Sequence, residues 1–280
     1  NASGRTFTGG RVRKWGRQLV VAEVVLAVML MVGAGLLLRS YEKVSRVAPG
    51  FDPNGVLTVT LGIPAARYDS AAKVLNFYST LLERVRALPG VERAAAVRQL
   101  PVTFTSWTSG LAIQGKPPME QNADIIHREV ADDYFRVMRV PLLKGRLFDA
   151  SDGPDAPPVA VINQAFVKQY FPNEDPLGQR IANDRLTDST TFWRTIVGVV
   201  GNEHQASLTQ PPRPEVFAPF VQDWQRSMHL VIRAAGDRDP LALAQPVRRV
   251  VRELDSLLAI TAIRPMTEVH AAAMARERFI

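Results

Sequence analysis

The longest apolar run of the chain extends from Leu19 to Leu38 and contains one ionisable residue, Glu23, in its twenty positions. A helix of that length spans about 30 Å, the thickness of the hydrocarbon core of a bilayer. A cleaved signal peptide would have a shorter apolar core, and a helix in a soluble core is rarely apolar on every face. The pattern therefore predicts a transmembrane helix, with Glu23 near its basic end.

The residues after this run predict a β-α-β unit. Residues 56–63 have an alternating pattern of apolar and other side chains and are rich in β-branched residues, which is typical of a strand. From Ser70 onward, apolar side chains recur at the spacing of one helix face; Ser70 is placed to cap this helix, and Pro89 and Gly90 end it. The strand Val91–Val97 completes the unit. The predicted inward positions of the helix are Val74, Tyr78, Leu81, Val85 and Leu88.

A second unit of the same kind is predicted late in the chain. The strand His229–Ala234 is followed by a turn, a helical pattern and the strand Ala259–Ile263. Pro246 lies within the helical pattern, so either the regular helix begins near it or the helix is kinked there. The predicted inward positions are Leu243, Val247, Val250, Leu254 and Leu257.

Between the two units, residues 105–225 are richer in aromatic side chains, Gly and Pro, and their apolar runs are short. Strands are predicted at Leu111–Ile113, Val159–Ile162 and Thr195–Val200, with a helix from Asn163 to Tyr170. This composition predicts a β-rich subdomain inserted into an α/β core, which makes the whole an α+β fold.

The chain is therefore expected to have six parts, the last of which has the pattern of an amphipathic helix leading toward a second membrane span. We also expect the sequence to be a segment of a longer protein. The parts are a basic cytoplasmic lead-in (1–18), a transmembrane helix and stalk (19–47), the first half of the core (48–104), the β-rich insertion (105–225), the second half of the core (226–266) and a stalk helix (267–280).

The basic residues are concentrated around the apolar run. The formal net charge is +7, and residues 1–50 hold eight Lys and Arg against two Glu, whereas residues 51–280 hold 26 basic and 25 acidic residues. Nucleic-acid binding is therefore not expected. Because basic flanks stay in the cytoplasm, everything from about Tyr41 onward is expected to be extracytoplasmic. The absence of cysteine excludes thiol catalysis, thiolate metal sites and disulfides.

Residues 110–116 match the first seven positions of a phosphate-binding loop, but Pro117 stands where the magnesium-binding Ser or Thr belongs. Pro117 also disfavours helical backbone at Lys116, although the motif needs a helix to begin there. We therefore expect a β-turn with an exposed Lys116, and no ATP hydrolysis by this loop.

The acidic cluster of Asp149, Asp152 and Asp155 lacks the alternate spacing and the bidentate Glu of a calcium loop, so a solvated acidic turn is expected. The neighbours Glu203 and His204 are expected to point apart on a strand. A Gly-x-Ser-x-Gly elbow is absent from the sequence. We therefore predict no catalytic, cofactor-binding or metal-binding residues and no enzymatic activity. The histidines are scattered, at His127, His204, His229 and His270.

Several blocks, taken in order, resemble the permeases of MacB-like and FtsX-like ABC transporters. The apolar helix running into Arg39-Ser40, and residues 49–57 after it, are similar to the first span of that family and its exit. The basic lead-in resembles the junction that opens the second half of duplicated orphan permeases of the ADOP type. The other similar blocks are Arg84–Val91 (RVRALPGV), Tyr134–Arg146 (YFRVMRVPLLKGR), Val161–Phe171 (VINQAFVKQYF), Asp175–Arg180 (DPLGQR) and Ile196–Gly201 (IVGVVG).

The resemblance implies a porter-like subdomain of two β-α-β units with an inserted, β-rich, sabre-like subdomain. It implies a bacterial inner-membrane protein with a periplasmic core, a separate cytoplasmic ATP-binding subunit, and no catalytic residues of its own. A dimeric or pseudo-dimeric assembly in the lipid bilayer and a periplasmic adaptor protein are the further expected partners.

The function expected from this resemblance is export, efflux or mechanotransmission, in which the periplasmic domain couples cytoplasmic ATP hydrolysis to extracytoplasmic movement. Two alternatives stay open. An extracytoplasmic sensor domain of a receptor would continue into one span and a cytoplasmic signalling module. A membrane-anchored hydrolase would need a convergent catalytic constellation, which the sequence does not offer.

Overall fold

The computed structural model describes residues 23–35, 39, 48–103, 107–117, 125–131, 133–183, 191–205 and 210–276. The chain divides into two compact units, residues 1–47 and residues 48–280. The predicted lead-in (1–18) and the last four residues of the predicted stalk helix (277–280) lie outside the described residues.

In the first unit, residues 23–35 form helix α1, and its large apolar side chains between Val24 and Val32 are exposed. Within the described part of the chain, the helices are too short or too polar to cross a bilayer. The predicted span Leu19–Leu38 reaches beyond both described ends of α1.

The second unit contains five α-helices and twelve strands within its described residues. The helices are α2 (Ala71–Arg86), α3 (Tyr134–Met138), α4 (Gln164–Tyr170), α5 (Ala244–Leu254) and α6 (Met266–Arg276). The strands are β1 (Val56–Gly62), β2 (Val91–Val97), β3 (Trp107–Ser109), β4 (Ala112–Ile113), β5 (Ile125–Val130), β6 (Leu142–Gly145), β7 (Val159–Asn163), β8 (Arg180–Ala182), β9 (Arg194–Val200), β10 (Glu215–Pro219), β11 (Ser227–Ala234) and β12 (Ile260–Pro265).

Four strands from the two ends of this unit form an antiparallel group in the order β12-β1-β11-β2. Helix α2 connects β1 to β2, and α5 connects β11 to β12, so each β-α-β unit has a strand of the other unit between its own two strands. This is the ferredoxin-like arrangement of two interleaved β-α-β units. The predicted fold class, α+β with paired β-α-β units and a β-rich insertion, is confirmed.

The two connecting helices differ from their predictions in detail. Ser70 stands at the N-cap of α2 in an extended conformation, but its side chain makes no capping hydrogen bond. Pro246 lies in the first turn of α5, after a 3₁₀ turn at Pro240–Leu243, so the regular helix begins near the proline. Leu257 was expected to point inward and is 78% exposed, because α5 ends at Leu254.

The chain between β2 and β11, residues 98–226, is called here the inserted region. Its strands continue the sheet in the order β5-β10-β7-β9-β8-β4, with β3 beside β5 and β6 beside β9. Helix α4 covers the core of this region with the Phe166 ring, which is fully buried. Asn163 caps the helix by accepting a hydrogen bond from the Phe166 backbone N–H at 2.9 Å. The other apolar residues of this core include Leu111, Ile113, Ile125, Ile162, Ile181 and Ile196.

The inserted region joins the four-stranded group narrowly within the sheet, and α3 of the inserted region also packs on β2 and β11. In the sheet, β2 pairs with β5 only at Val97 and Val130. An ion pair between Arg98 and Glu129, 3.1 Å long, lies beside this pair. The predicted boundaries at 104/105 and 225/226 stay predictions, because contacts divide the chain only at residue 47.

Candidate functional site

The residues that follow the predicted membrane stalk form what we call the junction segment, residues 48–54. The backbone N–H of His204 donates to the carbonyl oxygen of Pro49 at 2.9 Å. Gly50 has a φ of +86°, and its Cα lies against the backbone of Asn202, with no room for a side chain. Glycine at position 50 therefore allows the junction segment to lie directly on the loop of residues 201–205.

Asp52 anchors the junction segment to α3. Its backbone N–H donates to the carbonyl oxygen of Met138 at 2.9 Å, and its carboxylate lies 2.8 Å from Arg139. Burial alone would raise the pKa of Asp52, but hydrogen bonds from Asn54 and the charges of Arg233 and Arg139 outweigh burial and hold this pKa below its usual range.

Arg233 connects the same segment to the four-stranded group. It lies on β11 with a buried side chain, and it donates to the carbonyl oxygens of Asp52 at 2.9 Å, Asn54 at 2.7 Å and Val137 at 2.7 Å. Burial is the main reason why the pKa of Arg233 is lowered. Three backbone carbonyls on one guanidinium fix the junction segment and α3 to the same strand.

Phe51 connects the two ends of the second unit, residues 48–280. Its ring is buried and meets the imidazole of His270 edge-on, with 6.2 Å between the ring centroids. His270 lies on α6, the helix predicted to lead toward the next membrane span. The segment that follows the first predicted span and the helix that precedes the second therefore touch each other directly.

The loop of residues 201–205 contributes Glu203 and Gln205 to a buried ionic cluster. The other members of this cluster are Arg128, Tyr134 and Glu215. Arg128 lies 2.9 Å from Glu203 and 2.8 Å from Glu215. The Tyr134 hydroxyl donates to Glu203 at 2.9 Å, and the Gln205 amide donates to Glu215 at 2.7 Å. One cation between two carboxylates leaves an excess negative charge in the interior, which is costly unless a carboxyl group holds a proton.

The protonation of this cluster follows from that excess. Burial raises the pKa of Glu215 to about 7; the charge of Arg128 opposes this shift, and the neighbouring Glu203 adds to it. The pKa of Glu203 is raised as well, chiefly by burial. Near neutral pH, the cluster therefore carries less negative charge than its sequence suggests.

The loop of residues 201–205, which is itself part of the inserted region, thus contacts both the junction segment and strand β5. The backbones of Asn202 and His204 contact the junction segment. Glu203 lies between them in the sequence and faces Arg128 on β5. The His204 carbonyl also accepts from the Val102 backbone N–H at 3.1 Å. Val102 has a φ of +58°, an uncommon conformation for a β-branched residue and one that is typical of functional sites.

The phosphate-loop-like stretch does not contribute to this site. Its described residues form the short strand β4 and a turn in which Lys116 N–H donates to the Ile113 carbonyl at 3.1 Å. Lys116 Nζ lies 2.9 Å from Glu174 and covers the ring of Phe171. The predicted β-turn is therefore present, whereas Lys116, expected to be exposed, is partly covered by Glu174 and Phe171.

The acidic turn differs from its prediction at one position. Asp149 and Asp155 are exposed, but Asp152 is buried, and both its carboxylate oxygens accept from Arg146, at 2.7 and 2.8 Å. The expectation of a wholly solvated turn was therefore wrong, because Arg146 compensates for the buried charge of Asp152.

The predicted strand at Glu203 and His204 was also wrong. These residues belong to an irregular loop, and both are buried. His127 is buried on β5, where its Nε2 lies 2.7 Å from Ser109 Oγ, and burial lowers its pKa to about 3. His229 lies 3.0 Å from Thr60. In the described parts of the chain, no three His, Asp or Glu residues are grouped to hold a metal ion.

Sequence reasoning missed the buried ionic cluster. The signal present in the sequence is the charged pair Arg128-Glu129, which with His127 stands between the apolar ends of strand β5. Charged residues in a strand are usually taken to face solvent. The partner Glu203 is 75 positions away from Arg128, so spacing alone gives no indication of the pairing.

Comparison with known proteins agrees with this architecture. The sequence profile of the family described as MacB-like periplasmic core domain matches residues 19–250. A search of curated proteins found no significant match.

The chain is also similar to solved structures at low sequence identity, and the first of them shares its fold. The periplasmic region of MacB from Actinobacillus actinomycetemcomitans is 14% identical, with a TM-score of 0.54, over 82% of this chain and 97% of that chain. The extracellular domain of the noncanonic ABC-type transporter YknZ from Gram-positive bacteria is 11% identical, with a TM-score of 0.45, over 74% and 100%. A domain of a permease protein from Porphyromonas gingivalis is 13% identical, with a TM-score of 0.48, over 77% and 92%.

Proposed function

Since this chain belongs to the MacB-like periplasmic core domain family, the extracytoplasmic part of ABC transporter permeases, we propose that its soluble unit transmits movement between membrane helices and the inserted region. Components of this family are in general not enzymes. The movement is driven by a separate cytoplasmic ATP-binding subunit, which hydrolyses ATP in place of this chain. The permease works as a dimer or pseudo-dimer and contacts a periplasmic adaptor protein.

The membrane anchor in this proposal is the apolar run from Leu19 to Leu38. The exposed apolar side chains of α1 support this anchor, because soluble proteins rarely leave a large apolar surface in contact with water. The basic lead-in is cytoplasmic, and residues after about 41 are periplasmic. The preceding half of a duplicated permease of the ADOP type would continue the chain on its N-terminal side.

The observation that carries the proposal is the contact between Phe51 and His270 beside the close approach of Gly50 to Asn202. A shift of either membrane-directed end moves the junction segment. That segment is hydrogen-bonded to the loop of residues 201–205 of the inserted region, whose Glu203 is paired with Arg128 on β5. Packed elements transmit such shifts because their side chains have few alternative arrangements.

The test uses the complete permease with its ATP-binding subunit, and it exploits the absence of cysteine from this sequence. Spin labels on Ala271→Cys in α6 and Gln169→Cys in α4 report the distance between α6 and the inserted region. We expect this distance to change on ATP binding. Phe51→Ala should reduce the change while ATP hydrolysis continues, whereas Phe192→Ala, at an exposed phenylalanine of the inserted region, should not.

An identical distance with and without ATP would refute mechanical transmission. A full change in the Phe51→Ala variant would instead show that the movement does not pass through the junction segment.

A further inference from the structure

A cavity of about 210 Å³ lies between α6 and one face of the sheet. Its floor is formed by residues of β1, β11 and β12, and one side wall is formed by residues 100–103, which follow β2. Val102, with its φ of +58°, belongs to that wall. Much of the lining is apolar or small, and these residues are Leu100, Val102, Val269, Ala272 and Ala273.

Two of the three threonine hydroxyls in the cavity are used within the protein. Thr58 Oγ1 donates to the carbonyl oxygen of Arg264 at 2.8 Å. Thr103 Oγ1 donates to the carbonyl oxygen of Leu100 at 2.7 Å. These hydroxyls therefore hold β12 and the side wall in place, and their protons are not offered to a ligand.

His229 lies in the floor of the cavity and pairs with the third threonine. Its Nδ1 lies 3.0 Å from Thr60 Oγ1. Burial lowers the pKa of His229, so the imidazole is neutral near pH 7. When the Thr60 hydroxyl donates to Nδ1, the ring proton is on Nε2. Among the described residues, Nε2 has no hydrogen-bond partner, so it is a donor for a ligand.

Arg264 lines the cavity from β12, and because this residue is exposed it lies at the open side. Within the described part of the chain, its guanidinium makes no hydrogen bond or ion pair. The described residues that line the cavity include no aspartate or glutamate. A cation and an imidazole N–H are therefore left without an acceptor in the cavity wall.

From these observations, we propose that the cavity is a binding site for a small organic carboxylate. The carboxylate group accepts from Arg264 and His229, because a guanidinium is the side chain best matched to a carboxylate. The apolar part of the molecule covers Leu100, Val102 and Val269. The volume is below the roughly 300–1,000 Å³ of pockets for drug-sized ligands, so that apolar part is about the size of one ring.

The bound carboxylate contacts α6 on one side and residues 100–103 on the other. The backbone N–H of Val102 donates to the carbonyl oxygen of His204 at 3.1 Å, so this wall rests on the loop of residues 201–205. Binding therefore favours the position of α6 that closes the cavity. This consequence bears on the mechanical function proposed above, whereas the binding itself does not depend on that function.

The test places one cysteine in the cysteine-free full chain, at Ala272, which is exposed and lines the cavity. The rate at which N-ethylmaleimide modifies Ala272→Cys is measured at increasing concentrations of benzoate. At ten times its dissociation constant, benzoate should slow the modification about tenfold, since only the unoccupied protein reacts. Ala271→Cys, exposed on α6 but outside the cavity lining, is the control and should react at an unchanged rate.

Two comparisons test the charge of the ligand. Benzamide has nearly the shape of benzoate without its charge, and at the same concentration it should slow the modification less than about twofold. Arg264→Gln, added to Ala272→Cys, should weaken benzoate binding at least about tenfold, so that the slowing falls to about twofold. Arg249→Gln, at an exposed arginine of α5 that does not line the cavity, should keep the full slowing.

Equal rates with and without benzoate would overturn the proposal, and so would equal slowing of Ala271→Cys. Equal slowing by benzamide would show that the cavity does not select an anion, which contradicts the proposal as well. Full slowing in a folded Arg264→Gln variant would place the carboxylate elsewhere. If that variant does not fold, the comparison of benzoate with benzamide still decides. The modification needs neither ATP nor transport, so its failure would leave the mechanical function standing.

Discussion

Gly50 lies so close to Asn202 that a Cβ atom on Gly50 would overlap the carbonyl oxygen of Asn202. The two residues belong to segments about 150 positions apart in sequence, and their backbones meet without an intervening side chain. This contact fixes the chain that leaves the first predicted span to the loop that carries Glu203.

Replacement of Gly50 by alanine should lower the free energy of unfolding by about 2–4 kcal/mol, because it adds both backbone strain and a backbone clash. Gly55→Ala is the matched control: φ is +68°, but the nearest atom to its Cβ is 4.0 Å away. The Gly55→Ala substitution should lower the free energy of unfolding by about 1 kcal/mol, from backbone strain alone. Urea unfolding followed by tryptophan fluorescence measures both, and equal losses would show that the close approach contributes nothing.

Removal of the cation from the ionic cluster should be severely destabilising. Arg128→Met leaves Glu203 and Glu215 buried without their partner, and we expect a loss of about 3–5 kcal/mol. Adding Glu203→Gln and Glu215→Gln to Arg128→Met should restore a large part of that stability, because no charge then remains in the interior. If the triple variant is as unstable as Arg128→Met, packing rather than charge explains the loss.

The cluster also predicts how stability changes with pH. The pKa of Glu215 is raised from 4.5 to about 7 by burial, so between these pH values the folded state keeps a proton that the unfolded state has released. The free energy of unfolding should therefore fall as pH rises from about 5 to about 7, by at most about 3 kcal/mol. Glu215→Gln should flatten this dependence. Glu174→Gln, at an exposed residue, should leave it unchanged.

The two helix N-cap residues Ser70 and Asn163 should respond differently to alanine. Asn163 accepts from the backbone N–H groups of Phe166 at 2.9 Å and Glu215 at 3.1 Å, and it is fully buried. Asn163→Ala should cost about 2–4 kcal/mol, since both donors lose their partner. Ser70→Ala should cost less than about 0.5 kcal/mol, because the exposed Ser70 makes no capping hydrogen bond. Equal losses in thermal unfolding would contradict this assignment.

The regular elements of the fold could be predicted because they depend on local patterns. The strand Val91–Val97 and the helix after Asn163 follow from periodicity and end signals within about ten residues. The order of the strands could not be predicted in this way, because β1 lies between two strands from the far end of the chain.

The candidate site was less predictable than the fold because its contacts connect distant segments. Asp152 was expected to be solvated because the acidic cluster lacks the spacing of a calcium loop, and only the structure places Arg146 against it. Residues 49–57 were matched only to the exit of the family's first span, and the contact of Gly50 with Asn202 required the tertiary structure. The resemblance to the permease family named the architecture, but it assigned no role to either contact.

The position of β1 also determines the order in which the unit can be assembled. β1 emerges first during synthesis, yet its two neighbours are β11 and β12, and the last of their paired residues is Pro265. Its hydrogen bonds must therefore wait until the chain has been made as far as Pro265, while most strands of the inserted region find their neighbours within residues 107–219. Closing a loop of this length is slow, so β1 is expected to stay unpaired longer than the strands of the inserted region and to be the edge that chaperones and proteases recognise.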